Sequence, residues 1–237
     1  MPRFFVDTPL AATDGDLALP AGAARHVQVL RLQPGDALTL FDGSGPEWQA
    51  EVTAMGRSEV RVKLIAAEQP QRELARHITL AVVMPANDRM DFLVEKASEL
   101  GAAALQPLMS ERSVLRLNAE RADKKRSHWQ GVAIAAAEQC GRTLPLRVEP
   151  VQTLAAWLAA LTPDDDQWRG LLSPRAAAPI AAFPQQRALF LSGPEGGLSD
   201  AEEDAARARG FAAITLGPRV LRADTAPLAV LSWLSLS

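Results

Sequence analysis

The sequence predicts a two-part α/β protein. A small N-terminal β-barrel covers residues 1–70, and a larger domain of parallel strands covered by helices spans 75–237. Three observations carry this reading. Short β-forming runs broken by turn residues fill the first part. A polar stretch with a proline, "QPQRELAR" at 69–76, separates the parts. From residue 77 onward strand-like and helix-like segments alternate, as in a parallel sheet. A chain of 237 residues, 48% hydrophobic and 22% charged, is long and apolar enough to bury such cores.

In the N-terminal part "VQVLRL", "QPGDALTLFDGSG", "EWQAEVTAM" and "EVRVKLIAA" read as strands. Pro34-Gly35-Asp36 and Asp42-Gly43-Ser44-Gly45 supply the turns between them. Beyond the linker, "HITLAVVMP" is a buried strand. "DRMDFLVEKASELG" is an amphipathic helix with Met90, Leu93, Val94, Ala97 and Leu100 on one face and Gly101 at its end. "AAALQPLMS" is the next strand and "NAERADKKRSHWQGVAIAAAEQCG" a long helix. "LPLRVEP", "QWRGLLSP", "RALFLSG" and "FAAITLG" are further strands, with helices between them and at the C-terminal end.

The formal net charge is −3, so a nucleic-acid role requires a local basic patch. Residues 111–147 supply one. Arg112, Arg116, Arg121, Lys124, Lys125, Arg126, Arg142 and Arg147 face only Glu111, Glu120, Asp123 and Glu138, and a solvated helix face is the plain alternative. Glu138, Gln139 and Arg142, at the end of the long helix, are read as capping it or bordering a cofactor or partner. Cys140 is the single cysteine, which excludes an internal disulfide, and it is expected to be small and buried. No leader signature and no apolar run of about 18 residues is present, so a cytoplasmic location is expected. His26, His77 and His128 show no metal-ligand spacing with Cys140, and no metal is expected.

The most informative stretch is "LSGPEGGLS", residues 191–199, where an apolar strand runs into three glycines and a glutamate. Ser199 and Glu202 fit a capping box for the helix that follows, with Asp200 and Glu203 in its first turn. A phosphate-binding helix start keeps its amides free for the anion, whereas this one is already occupied by acids. There is no P-loop lysine, and the glycine spacing is not that of dinucleotide binders. A ligand without phosphate and with positive charge fits better, and S-adenosylmethionine meets both conditions. A plain strand–helix turn is the structural alternative.

A second stretch has the same strand–loop–helix form: "ITLGPRVLRADTAPLAVLSWL". Arg219 and Arg222 flank Val220-Leu221, and Asp224 or Thr225 can cap the last helix, with Pro227 in its first turn. Two arginines in so short a loop suit phosphates or planar polar groups.

Together "RFFVD", "RHVQVLRLQPGDALTLFDGSG", "DRMDFLVEKASELGAAALQPLMSERSV", "AAEQCGR", "LSGPEGGLSDAEE" and "LGPRVLRADTAPLAVLS" resemble the RsmE-type 16S ribosomal RNA uridine-N3 methyltransferases of the SPOUT superfamily, in order and over nearly the whole chain. The resemblance implies a PUA-like RNA-binding barrel, a SPOUT-type sheet with a trefoil knot, a homodimer, S-adenosylmethionine as cofactor, and uridine 1498 of 16S rRNA in the small ribosomal subunit as target. It implies cofactor contacts from Leu172, Leu191, Gly193, Glu195, Gly196, Gly197, Leu216, Gly217, Leu221, Arg222, Thr225 and Ala226. Arg222, Arg219 and Glu195 are the catalytic candidates, Glu195 as base, electrostatic group or turn residue. Arg3, Arg25, Arg31, Arg112 and Arg142 are the RNA-contact candidates. Two positions depart from the family pattern: Asp224 stands where glutamate is usual, and Ala86 where a basic residue is common. A SPOUT enzyme acting at another RNA site and a ribosome-binding factor without catalysis are the competing readings.

Overall fold

The computed structural model describes residues 1–11, 16–57, 59–85, 89–176 and 178–236. Ala86 lies outside the described residues. The chain divides into two compact units, Met1–Glu73 with Ala137–Pro145, and Leu74–Ala136 with Leu146–Ser237.

The first unit holds β1 (Arg3–Phe5), β2 (Leu17–Ala18), α1 (Ala21–Val29), β3 (Ala37–Phe41), β4 (Glu47–Met55) and β5 (Val60–Glu68). The strands pair in the order β1-β3-β4-β5-β2, antiparallel except for β1 against β3. Phe4, Val6, Leu38, Leu40, Val52 and Val62 form the core, closed by Ala23, Ala24 and Val27 of α1. Here "VQVLRL" departs from its strand reading, because its first three residues end a helix. The spacing that decides is Ala23, Ala24, Val27, one face of a helix; the Val-Gln-Val alternation is incidental, since Val29 is exposed.

Two of the arginines expected at RNA are engaged inside this unit. Arg3 pairs with the buried Glu47 and donates to the carbonyls of Gly141 and Arg142, both at 3.1 Å. Arg142 is buried and pairs with Glu73 at 2.7 Å. Glu138 accepts the Phe5 N–H at 2.9 Å, and burial raises its carboxyl pKa. Cys140 is half-buried rather than buried.

The second unit is a parallel sheet of β6 (His77–Val83), β7 (Ala104–Met109), β8 (Arg147–Val148), β9 (Gln152–Thr153), β10 (Gln167–Leu172), β11 (Arg187–Ser192) and β12 (Ala212–Ile214). The order is β12-β10-β11-β6-β7-β8, with β9 also on β7. Its helices are α2 (Arg89–Glu99), α3 (Ala119–Cys140, whose last turn falls in the first unit), α4 (Leu154–Ala160), α5 (Asp200–Ala208) and α6 (Thr225–Ser235).

The central strands are apolar at most positions because both faces are covered. Leu80, Val82, Ala188 and Phe190 pack with Met90, Leu93, Val94, Trp129, Val230 and Leu231 from α2, α3 and α6. Ala81, Val83, Leu189 and Leu191 point the other way, among Leu154, Trp157, Leu158 and Ala206 of α4 and α5. Pro107 sits in β7 between the residues paired with β8 and those paired with β9, where neither edge strand needs an N–H from it. Gly101 ends α2 at φ +91°, and a Cβ there would lie 2.6 Å from Leu74 Cγ, so only glycine fits. Among the described residues no helix is long and apolar enough to cross a membrane.

One topological feature positions the site. β6 opens the unit at mid-sheet, and the chain builds outward through β7 before returning to β10 on the other side. β11 then inserts between β10 and β6. In open α/β sheets such a reversal opens a ligand crevice at the carboxyl ends of the strands.

Candidate active site

The loops leaving β10, β11 and β12 enclose a cavity of about 470 Å³ at those carboxyl ends. Its walls are Leu172–Arg175, Ser192–Leu198 and Ile214–Leu216, with Arg219–Ala223 and Ala226 beyond.

The glycine loop is shaped by close approach. A Cβ on Gly193 would lie 3.1 Å from Leu198 Cγ and 3.2 Å from Leu198 N, so any larger residue there forces the loop to shift. The Gly197 N–H closes the turn onto Pro194 O at 2.8 Å. Ser199 then caps α5 with a full capping box: its Oγ accepts from Glu202 N, and Glu202 Oε2 accepts from Ser199 N at 2.9 Å. The other oxygen of Glu202 accepts the Glu111 N–H at 2.8 Å. The helix start is therefore capped by the protein's own side chains, and with Asp200, Glu202 and Glu203 in its first turn it disfavours a phosphate.

Four arginines line the cavity, and they fall into two pairs. Arg112, read as an RNA contact and, from its place after a strand end, as near the site, reaches in from the loop after β7 and donates to Gly196 O at 3.1 Å and Leu198 O at 3.4 Å, bracing the glycine loop. Arg175 bridges Asp200 and Glu203 of α5. Arg219 and Arg222 are exposed, and among the described residues their guanidiniums have no hydrogen-bond or ion-pair partner. Two unpaired cations at the mouth of a cavity whose other arginines are anchored are available to a substrate.

Glu203, 4% exposed, accepts from Ser173 Oγ at 3.0 Å and pairs with Arg175 at 2.7 Å and Arg207 at 2.6 Å. It ties the loop after β10 to α5. Glu195 is exposed at the tip of the glycine loop, and its carboxylate lies 3.7 Å from the Arg89 guanidinium at the start of α2.

Of the residues expected at a cofactor, Leu172, Gly193, Glu195, Gly196, Gly197, Leu216, Leu221, Arg222 and Ala226 line this one cavity. Leu191 lies behind it in the core, and Gly217 and Thr225 lie outside its wall. Asp224 precedes α6 but does not cap it: its own backbone is helical, at φ −81° and ψ −34°, and its side chain accepts no helix N–H. None is needed. Thr225 and Ala226 both donate to Arg222 O at 3.0 Å, and Pro227 has no N–H. Ser173, Arg175, Glu203, Thr215 and Ala223 also line the cavity and escaped the sequence reading. The signal for Ser173 and Arg175 was their place just after the strand "QWRGLL"; Glu203 carried none beyond its helix.

Of the basic run at 111–147, Lys124 pairs with Glu120, Arg147 with Glu149, Arg126 donates to Val148 O and Arg116 to Glu111 O. Among the described residues no group of histidine, cysteine and carboxylate side chains could hold a metal ion.

The RNA methyltransferase domain family matches residues 72–235, and the RNA methyltransferase PUA domain family matches 19–65. Ribosomal RNA small subunit methyltransferase E of Bacillus subtilis is 31% identical over 218 residues, 88% of this chain and 85% of its own. The chain belongs to the ribosomal RNA small subunit methyltransferase E family. The member from Synechocystis is 30% identical, over 97% of this chain and 76% of its own. The Neisseria gonorrhoeae member, solved bound to S-adenosyl methionine, superimposes with a TM-score of 0.92 at 34% identity, covering 100% of this chain and 97% of the other. A Legionella pneumophila methyltransferase, also solved with the cofactor bound, has a TM-score of 0.91 at 30% identity, covering 99% and 96%.

Proposed function

We propose that this protein uses S-adenosylmethionine to methylate N3 of a uridine in 16S ribosomal RNA, at position 1498 of the small ribosomal subunit. The observation that carries the proposal is the cavity between the glycine loop and the Arg219–Arg222 loop, bordered by an acid-bearing helix start that disfavours phosphate and carrying two guanidiniums unpaired among the described residues. Its volume suits a cofactor-sized ligand. The close approach at Gly193 leaves backbone rather than side chain facing it.

The cofactor supplies an electrophilic methyl group on a sulfonium. Around it the backbones of Gly193, Glu195, Gly196, Gly197, Leu216, Leu221 and Arg222 would bind and orient, with Leu172 and Ala226 as apolar walls. Leu191 and Gly217 hold those walls from behind and beside, and Thr225 begins the helix that supports them. Uridine N3 is weakly acidic and a poor nucleophile until its proton leaves, so the enzyme must stabilise the negative charge that spreads over the uracil carbonyls. Arg222 and Arg219, at the mouth of the cavity, would meet that charge. Glu195, facing Arg89, serves as an electrostatic group at the loop tip.

Domain limits of 1–70 and 75–237, the trefoil knot, a homodimer and a cytoplasmic location form part of the same proposal. Labelled S-adenosylmethionine and small subunits lacking methylation at this site, followed by mass spectrometry of nucleosides, test it. N3-methyluridine supports the reading; label on another nucleoside overturns the target; no label and no cofactor binding overturn the enzyme.

A further inference from the structure

Methyl transfer to uridine N3 makes a demand that a cofactor cavity does not meet by itself. N3 lies on the pairing edge of uracil, which pairing and stacking cover in folded RNA. A methyl donor seated between the glycine loop and the Arg219–Arg222 loop reaches that nitrogen only after the nucleotide leaves its stack and enters the mouth of the cavity. Unstacking is costly, and proteins that open a stack commonly insert an apolar side chain into it. Such a side chain has a recognisable place. It stands at the mouth of the cavity, apolar yet exposed, beside the groups that receive the extruded base.

Val220 meets each condition. Leu172, Leu198, Ile214, Leu216 and Leu221 line the cavity buried or half-buried. Val220 lines it too but is 81% exposed, and among the described residues it is the only large apolar side chain of the wall that folding leaves in water. The loop that carries it is held at both ends. Thr215 Oγ1 donates to Gly217 O at 3.0 Å, and Arg222 O accepts the Thr225 and Ala226 N–H groups, both at 3.0 Å. Leu216 packs on the core before the tip, and Ala223 is buried after it. The outward place of Val220 is therefore fixed by its anchored neighbours. Its branched side chain is stiff at χ1, as a wedge must be. Arg219 precedes it and Arg222 follows two residues on, both exposed and, among the described residues, without a hydrogen-bond or ion-pair partner. A single exposed valine elsewhere on a surface carries no message. This one stands between two free cations at the entrance to the cavity.

We propose that Val220 is the wedge that holds the target uridine out of its stack. Its isopropyl group takes the space that the uracil vacates, and the uracil enters the cavity beside Arg219 and Arg222. The inference rests on the methyl transfer proposed above and names the residue that admits the substrate to it. Val220 acts on the RNA and not on the cofactor, so its loss slows the reaction after the RNA is bound.

Small subunits lacking the methyl group, reconstituted with 2-aminopurine beside the target uridine, report this step, because that base brightens when its stack opens. Wild-type protein is expected to raise the fluorescence on binding. Val220→Ser is expected to bind the subunits with a Kd within about twofold of wild type, to raise the fluorescence little, and to lower the single-turnover rate by about tenfold or more. Val220→Ile keeps the branched shape and is expected to recover most of both signals. S-adenosylmethionine affinity should stay within about twofold and the thermal midpoint within about 1 °C, because the side chain is exposed. A full rate or a full fluorescence change in Val220→Ser overturns the inference. So does a fall in cofactor affinity, which makes Val220 part of the cofactor's wall. Loss of self-association in sedimentation velocity gives the residue to a second copy of the chain and overturns it also. Wild-type protein that transfers no methyl group to uridine N3 sinks the proposed reaction and the wedge together. Wild-type protein that transfers it, matched by Val220→Ser, sinks the wedge alone.

Discussion

Glu203→Ala removes the carboxylate that ties the loop after β10 to α5. The bond from Ser173 Oγ, 3.0 Å long and buried, is charge-assisted and contributes about 1.5–3 kcal/mol. A carboxylate in the first turn of α5 adds about 0.3–1 kcal/mol through the helix dipole. The ion pairs to Arg175 and Arg207 add little, because those arginine side chains are 52% and 46% exposed and water screens them. The sum is about 2–4 kcal/mol, a fall of about 5–10 °C in the thermal midpoint for a chain of this size. Ser173, Pro174 and Arg175 form one wall of the cavity, so cofactor affinity should fall along with stability. Glu203→Gln keeps an oxygen for the Ser173 hydroxyl and should recover about half of the loss. Calorimetry and cofactor titration on the three proteins read both quantities. A shift under about 1 °C for Glu203→Ala would refute the reasoning, since it would mean that the loop is held by something other than this carboxylate.

Gly193→Ala drives a Cβ against the Leu198 backbone nitrogen, which cannot swing aside as a side chain can. S-adenosylmethionine affinity should fall by more than about tenfold, measured by calorimetric titration. Gly197→Ala meets open space, but at φ +68°, so it should cost about 1 kcal/mol of stability in a urea melt and far less affinity. Arg222→Ala should lower kcat by about 10²-fold with cofactor affinity nearly unchanged, and equal turnover in single-turnover assays would remove Arg222 from the chemistry. Glu47 gives a pH dependence. Burial raises its carboxyl pKa, but bonds from Arg72 and Arg3 outweigh that and hold it below the ordinary 4.5. A depressed folded pKa stabilises above the unfolded value and is lost as pH falls through the folded one. Amide protection factors in β3 and β4, corrected for the intrinsic exchange rate at each pH, should therefore fall below pH 4.5, and Glu47→Gln should flatten that dependence.

The sequence by itself determined the class of fold and the two loops that matter. Strand–helix alternation past residue 77, the turn glycines and the capping box at Ser199 are local signals, because they arise from the spacing of neighbours along one chain. The same locality explains the failures. Val-Gln-Val imitated a strand until Ala23, Ala24 and Val27 found a sheet to pack against. Asp224 had a capping residue's identity, but the Arg222 carbonyl reached the helix donors first. Only tertiary structure decided which arginines are free. Arg3, Arg112, Arg142 and Arg175 read alike with Arg219 and Arg222 in the sequence. Carboxylates and carbonyls from distant segments neutralise or anchor the first four and leave the last two facing the cavity. A charge is spent or available according to what folding brings within hydrogen-bond reach, and the partners that bind these four lie far from them along the chain.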